Sequence, residues 1–173
     1  DSLRHTIDVR GDSAQITAEG WKITSSFNVI RGLAFGGFAK TFLVISGSAS
    51  HDNVIAGCHI GCSADGQTRL ANRLAGVECV RGSHHNLIGS ESADLRNVIS
   101  GNGTCGIRIE NSHNNLIIGN YIGTDATGLS ALPNGEEFKQ QGSAGIMLAS
   151  LAKNNRIGNA TAKGRNVISG NNN

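Results

Sequence analysis

Proline is almost missing from this chain, one residue in 173, and methionine, tryptophan and tyrosine also occur once each. Charged residues make up 16% and the net charge is +2, with no basic stripe, so no nucleic-acid partner is expected. No apolar run approaches the roughly 20 residues needed to cross a bilayer, so no membrane span is expected. The sequence contains no G-x-S-x-G, H-E-x-x-H or P-loop, and no cofactor is implied. Aromatics are 4% of the residues, and Tyr121 is the one outward aromatic that can be placed, so the faces lack sugar-stacking platforms. The chain opens at Asp1 with neither a methionine nor an apolar leader, and it reads as a processed or excised piece.

What the chain has in quantity is glycine, 24 residues, and self-similarity. The hexapeptide N-V-I-S-G-N stands at residues 97–102 and again at 166–171. The looser pattern N-x-I-x-G begins at Asn28, Asn53, Asn97, Asn115 and Asn166, with shortened copies at Asn86 and Asn155. Such copies mark an architecture in which each repeat buries its apolar face against its neighbours. They are too short for helices, and an Ile held between Asn and Gly predicts very short strands ended by glycine turns.

A three-strand cycle follows. The first strand alternates apolar residues at Leu43 and Ile45, Val77 and Cys79, Ile107 and Ile109, and Ile146 and Leu148. Period-two alternation sends the intervening Val44, Glu78, Arg108 and Met147 outward. The second strand is the copy starting at Asn28, Asn53, Asn86, Asn115 or Asn155, and the third is centred on Ala34, His59, Val98, Tyr121 or Val167. Residues 1–24 are less regular and predict an opening coil. There Ile7 and Val9 alternate with polar residues, Gly11-Asp12 turns, Ile16 and Ile23 begin the core, and Trp21 helps cover the end. Residues 129–143 predict a lateral loop insertion.

The run from Asn115 to Gly128, with Ala144 to Leu148, Asn154 to Gly158 and Arg165 to Asn171, resembles the right-handed parallel β-helix repeats of secreted bacterial surface proteins, a pectate-lyase-like superfamily. A weaker copy at Cys58 to Gly66 matches Asn120 to Gly128. The resemblance implies an all-β fold: one domain over 1–173, a single-stranded solenoid of about 5–7 coils with three short strands each, secreted or at a cell surface. It says little about activity, because the same solenoid hosts lyases, hydrolases, tailspikes, adhesins and inert stalks.

In that fold equivalent residues stack at about 4.8 Å, so like sits on like. Asn rows at bends would then satisfy backbone groups and fix register. Cys58 takes an Asn position and Cys79 an Ile position, both as small buried residues. Cys62 and Cys105 fall in turns entering first strands one coil apart, either as a disulfide or as two free thiols. His51, His84 and His113 share one site on three consecutive coils, and are read either as a stacked ring ladder or as ligands for a transition metal with Asp52 and His85 nearby. Outward Glu78 and Arg108, with Glu110 at the strand end, form a cross-strand ion pair rather than an acid-base site. Asp65, Asp94 and Asp125 lie in turns.

The functional expectation is a non-catalytic extracellular structural or adhesive module. Its partners would be further copies through the solenoid ends, and surface polysaccharide. The alternative is a fragment of a polysaccharide lyase, hydrolase or sugar-binding protein.

Overall fold

The computed structural model describes residues 8–10, 20–136 and 142–172. Among the described residues, sixteen strands of two to six residues are arranged in three wholly parallel sheets. The first sheet orders β2 (Trp21–Ile23), β5 (Leu43–Ser46), β8 (Val77–Val80), β11 (Cys105–Glu110) and β14 (Ala144–Ala149). The second orders β3 (Val29–Arg31), β6 (Val54–Ala56), β9 (Leu87–Gly89), β12 (Leu116–Ile118) and β15 (Arg156–Ile157). The third orders β1 (Asp8–Arg10), β4 (Ala34–Gly36), β7 (His59–Ile60), β10 (Val98–Ile99), β13 (Tyr121–Ile122) and β16 (Val167–Ile168). Each strand thus pairs with the strand three places on, the topology of a right-handed parallel β-helix of about five coils.

Register follows residue type. Ile30, Ile55, Ile88, Ile117 and Ile157 are successive partners on the second sheet, and Phe35, Ile60, Ile99, Ile122 and Ile168 on the third. The middle members of both files are fully buried. At roughly 1.5–3 kcal/mol for each aliphatic side chain taken from water, these files are a large part of the cohesion. On the first sheet Leu43, Val77, Ile107 and Ile146 align, as do Ile45, Cys79, Ile109 and Leu148. Among the described residues no strand pairs with the outer edge of β14, β15 or β16, and Leu148, Ile157 and Ile168 are 52%, 41% and 46% exposed although they continue the core files.

The N-x-I-x-G pattern has a backbone explanation. Its glycines Gly32, Gly57, Gly89, Gly119 and Gly158 all carry positive φ, from 61° to 107°, at the corner leaving the second strand. A second left-handed column precedes each Asn: Phe27, Asp52, His85, Asn114 and Asn154, with φ between 53° and 60°. Asn, Asp and His tolerate that region better than other residues, which accounts for four of the five.

The expected Asn rows are present as continuous ladders. Asn28, Asn53, Asn86 and Asn115 each donate their side-chain amide to the Oδ1 of the next Asn in the file, at 2.8–3.0 Å, the last acceptor being Asn155. The same Oδ1 atoms accept the backbone N–H of the Asn below, at 2.9–3.1 Å. The Asn97–Asn120–Asn166 file repeats the arrangement at 2.9 and 3.0 Å, and Cys58 occupies its lower position, donating its backbone N–H to Asn97 at 2.8 Å.

Val44 lies in the outward row but is 4% exposed, between its register partners Lys22 and Glu78. The excursion expected over 129–143 is interrupted: Leu132 and Asn134 are buried, and Gly135 donates to Asn102 O at 2.8 Å, so this stretch rejoins the stack. Residues 137–141 of that excursion lie outside the described residues, as do the expected Ile7, Gly11-Asp12 and Ile16 features of the opening coil. Cys62 and Cys105 are free thiols, as are Cys58 and Cys79. Cys62 packs with Val98 and Leu132 in a small outer cluster, because an inserted flap separates it from the following first strand.

Candidate functional site

Three outward features carry polar chemistry. The first is the predicted histidine column. Parallel bridges join His51 to His84, His84 to His113 and His113 to Lys153. The rings of His51 and His84 stack with centroids 4.9 Å apart and planes within 3°; those of His84 and His113 are 5.1 Å apart and within 8°. This is the stacked ladder form of the two readings. Beneath it Ser83 and Ser112 hydroxyls share a hydrogen bond of 3.1 Å. The side chain one residue on turns back toward two of the rings: Asp52 Oδ2 lies 2.7 Å from His51 Nδ1, and His85 Nδ1 lies 2.8 Å from His84 Nδ1. Desolvation, then the neighbouring His51, His85 and His113, hold the His84 pKa below its ordinary value. Among the described residues no group of three or more His, Cys, Asp or Glu is disposed around a common point.

The second is the outer face of the first sheet, where Glu78, Glu110, Lys22 and Val44 line a hollow of about 340 Å³. Arg108 lies 2.5 Å from Glu110 and 3.9 Å from Glu78, and Thr41 donates its hydroxyl to Glu78 at 3.0 Å. The cross-strand pair is present, with the same-strand contact to Glu110 the closer one.

The third was not legible beforehand. A groove of about 550 Å³ runs over the third sheet, floored by His59, Val98 and Tyr121 and walled by Asp65, Asp94 and Arg96. Arg96 sits over the Tyr121 ring, 4.2 Å from its centroid, and donates from Nε to Gly119 O at 3.3 Å. One wall is a pair of flaps closed by antiparallel bridges, Cys62 with Arg69 and Thr124 with Ala131. The flaps stack through Ala126 N–H donating to Gly66 O at 3.0 Å. Glycine lets them lie this close: a Cβ on Gly66 would run into the His59 ring and Ala126, and one on Gly128 into the Tyr121 ring.

The flap carboxylates serve the turns. Asp125 Oδ1 accepts from the Thr127 hydroxyl at 2.6 Å and from the backbone N–H groups of Thr127, Leu129 and Ser130. Asp65 accepts from the Ser63 hydroxyl and the Gln67 N–H. These bonds, led by the Thr127 and Ser63 hydroxyls, hold both carboxyls below the ordinary aspartate range. Burial pushes the thiols the other way, Cys58 and Cys105 to about 11 and Cys62 and Cys79 to about 12.

A third Asn ladder also escaped the sequence reading. Asn72, Asn102 and Asn134 donate in turn to Asn102, Asn134 and Asn171 at 2.9, 2.9 and 2.8 Å. The closing Asn of N-V-I-S-G-N was its signal. The fold defines the class, a parallel β-helix solenoid. No protein-family model, curated protein or solved structure shows a significant match to the chain.

Proposed function

We propose that this chain is a non-catalytic structural and adhesive β-helix module of the pectate-lyase-like kind, working at a cell surface or outside the cell. The supporting observation is how the outward polar side chains are used. Arg108 is shared between Glu78 and Glu110, and Asp65 and Asp125 are held as anions by their own turns. A glycosidase acid needs a carboxyl raised in pKa opposite a second one, the reverse of the shift seen at both aspartates.

Adhesion would use the third-sheet groove, whose tyrosine, arginine and flanking aspartates offer one apolar ring among hydrogen-bonding groups to a hydroxyl-rich polymer. Self-association would use the last coil, where exposed Leu148, Ile157 and Ile168 sit on strands that each end a sheet. The second reading, a polysaccharide-active protein, draws on the same groove, because Asp65 and Asp94 both line it.

One experiment separates them. The protein is incubated with pectin, polygalacturonate and alginate with added calcium, following ultraviolet absorbance, reducing ends and retention on the immobilised polymers. Retention weakened by Tyr121→Ala without product supports adhesion. Unsaturated product or new reducing ends would establish the enzyme reading instead. Size-exclusion chromatography with electron microscopy tests stacking, and a uniformly monomeric species would exclude it.

A further inference from the structure

The histidine column raises the question of where an ion would sit on it. Within the stack the rings lie face to face at 4.9 and 5.1 Å. Adjacent nitrogen ligands of one ion at bond lengths of about 2.0 Å are separated by only about 2.8 Å at a right angle, or about 3.3 Å at the tetrahedral angle. Successive rings are therefore spaced too widely to close on one ion, and their parallel planes do not aim at a common point.

The side-by-side pair does meet the distance requirement. His84 Nδ1 and His85 Nδ1 lie 2.8 Å apart, with ring planes at 89°. That separation is the right-angle value. His84 is fixed by stacking on both faces, against His51 and His113. His85 is presented by its left-handed backbone, φ 53°, and its side chain is exposed. Without a metal one of the two nitrogens must donate a proton to the other, and an ion bound to both, lying to the side of the line between them, displaces that proton. Asp52 occupies the same left-handed column one coil away, with its Oδ2 2.7 Å from His51 Nδ1.

We propose that His84 and His85 form a two-nitrogen surface site for a divalent transition metal of tetragonal preference, copper(II) or nickel(II), with solvent completing the coordination. His51 and His113 position the His84 ring and do not bind the ion. One coil on, the corresponding pair is His113 and Asn114, which lacks the second imidazole, and one coil back it is His51 and Asp52. The paired-imidazole bite is thus confined to a single coil.

The test is titration of the full chain, free of any polyhistidine tag, with Cu²⁺ and Ni²⁺ by calorimetry, together with electron paramagnetic resonance of the Cu²⁺ form. The expected result is one ion per chain, with the resonance of two equatorial imidazole nitrogens. His85→Asn keeps a residue that takes the same backbone conformation at 114 and 154, and is expected to weaken binding at least tenfold. His113→Asn is expected to keep the one-ion stoichiometry. Unchanged affinity in His85→Asn, or binding lost in His113→Asn while His85→Asn retains it, would overturn the assignment. So would the absence of saturable binding.

Discussion

Removing one amide from the middle of the first Asn ladder should cost far more than removing one at its edge. Asn86 is fully buried. Its side chain donates to Asn115 Oδ1 at 3.0 Å and Ser50 O at 3.1 Å, and accepts from the Asn53 backbone at 3.1 Å and the Asn53 amide at 2.9 Å. Asn86→Ala deletes these four bonds and strands their partners in a dry corner that Ala cannot refill. At about 1 kcal/mol net per bond the loss is about 4 kcal/mol, a large share of the roughly 5–15 kcal/mol that holds a domain folded. With a urea slope of about 2 kcal/mol/M, the unfolding midpoint should fall by about 2 M. Asn28→Ala is the comparison: that residue is only partly buried, and water can replace much of what its amide donates to Ser25, Ser26 and Asn53. Circular dichroism during urea titration measures both. Equal midpoint shifts for Asn86→Ala and Asn28→Ala would refute the idea that buried ladder bonds lock the coils together.

Three further outcomes are expected. With chelator present, the melting temperature should hold steady above the ordinary histidine pKa of about 6.5 and decline as pH falls through the depressed value of His84, since a lowered folded pKa means the neutral ring is the stabilising form. His84→Asn should flatten that decline, and an unchanged pH profile would show that the stacked column plays no part. The four thiols, pushed to about 11 or 12 by burial, should resist alkylation at pH 8 in the folded protein and all react once it is unfolded, so mass spectrometry finding a Cys62–Cys105 bond would contradict the structure. Leu151 is 78% exposed at φ 59°, so Leu151→Asn should stabilise by about 0.5–1 kcal/mol and raise the melting temperature by about 1–4 °C, measured by calorimetry.

The files of the second strand and its corner were legible because each repeats one residue type at one place, Ile under Ile, Asn under Asn, His under His, and those of the first strand because apolar residues alternate. The third Asn ladder was harder to see because its members follow unlike residues, Ala71, Gly101, Pro133 and Gly170, and its turns differ in length. The groove could not be read at all. Its floor residues His59, Val98 and Tyr121 differ in kind, and its walls come from flaps whose closeness depends on Gly66 and Gly128 lacking side chains. Val44 points outward as alternation has it, yet it is buried, because alternation gives a direction whereas burial depends on the length of the neighbours.

The Asn ladders carry a consequence for how such a molecule changes length. Along each ladder an Asn meets the Asn of the next coil in the same way, so the junction between one pair of storeys resembles the junction between another. A gene segment encoding one whole turn could be duplicated or excised without redesigning the surfaces it joins, and reach could evolve separately from whatever the flaps display.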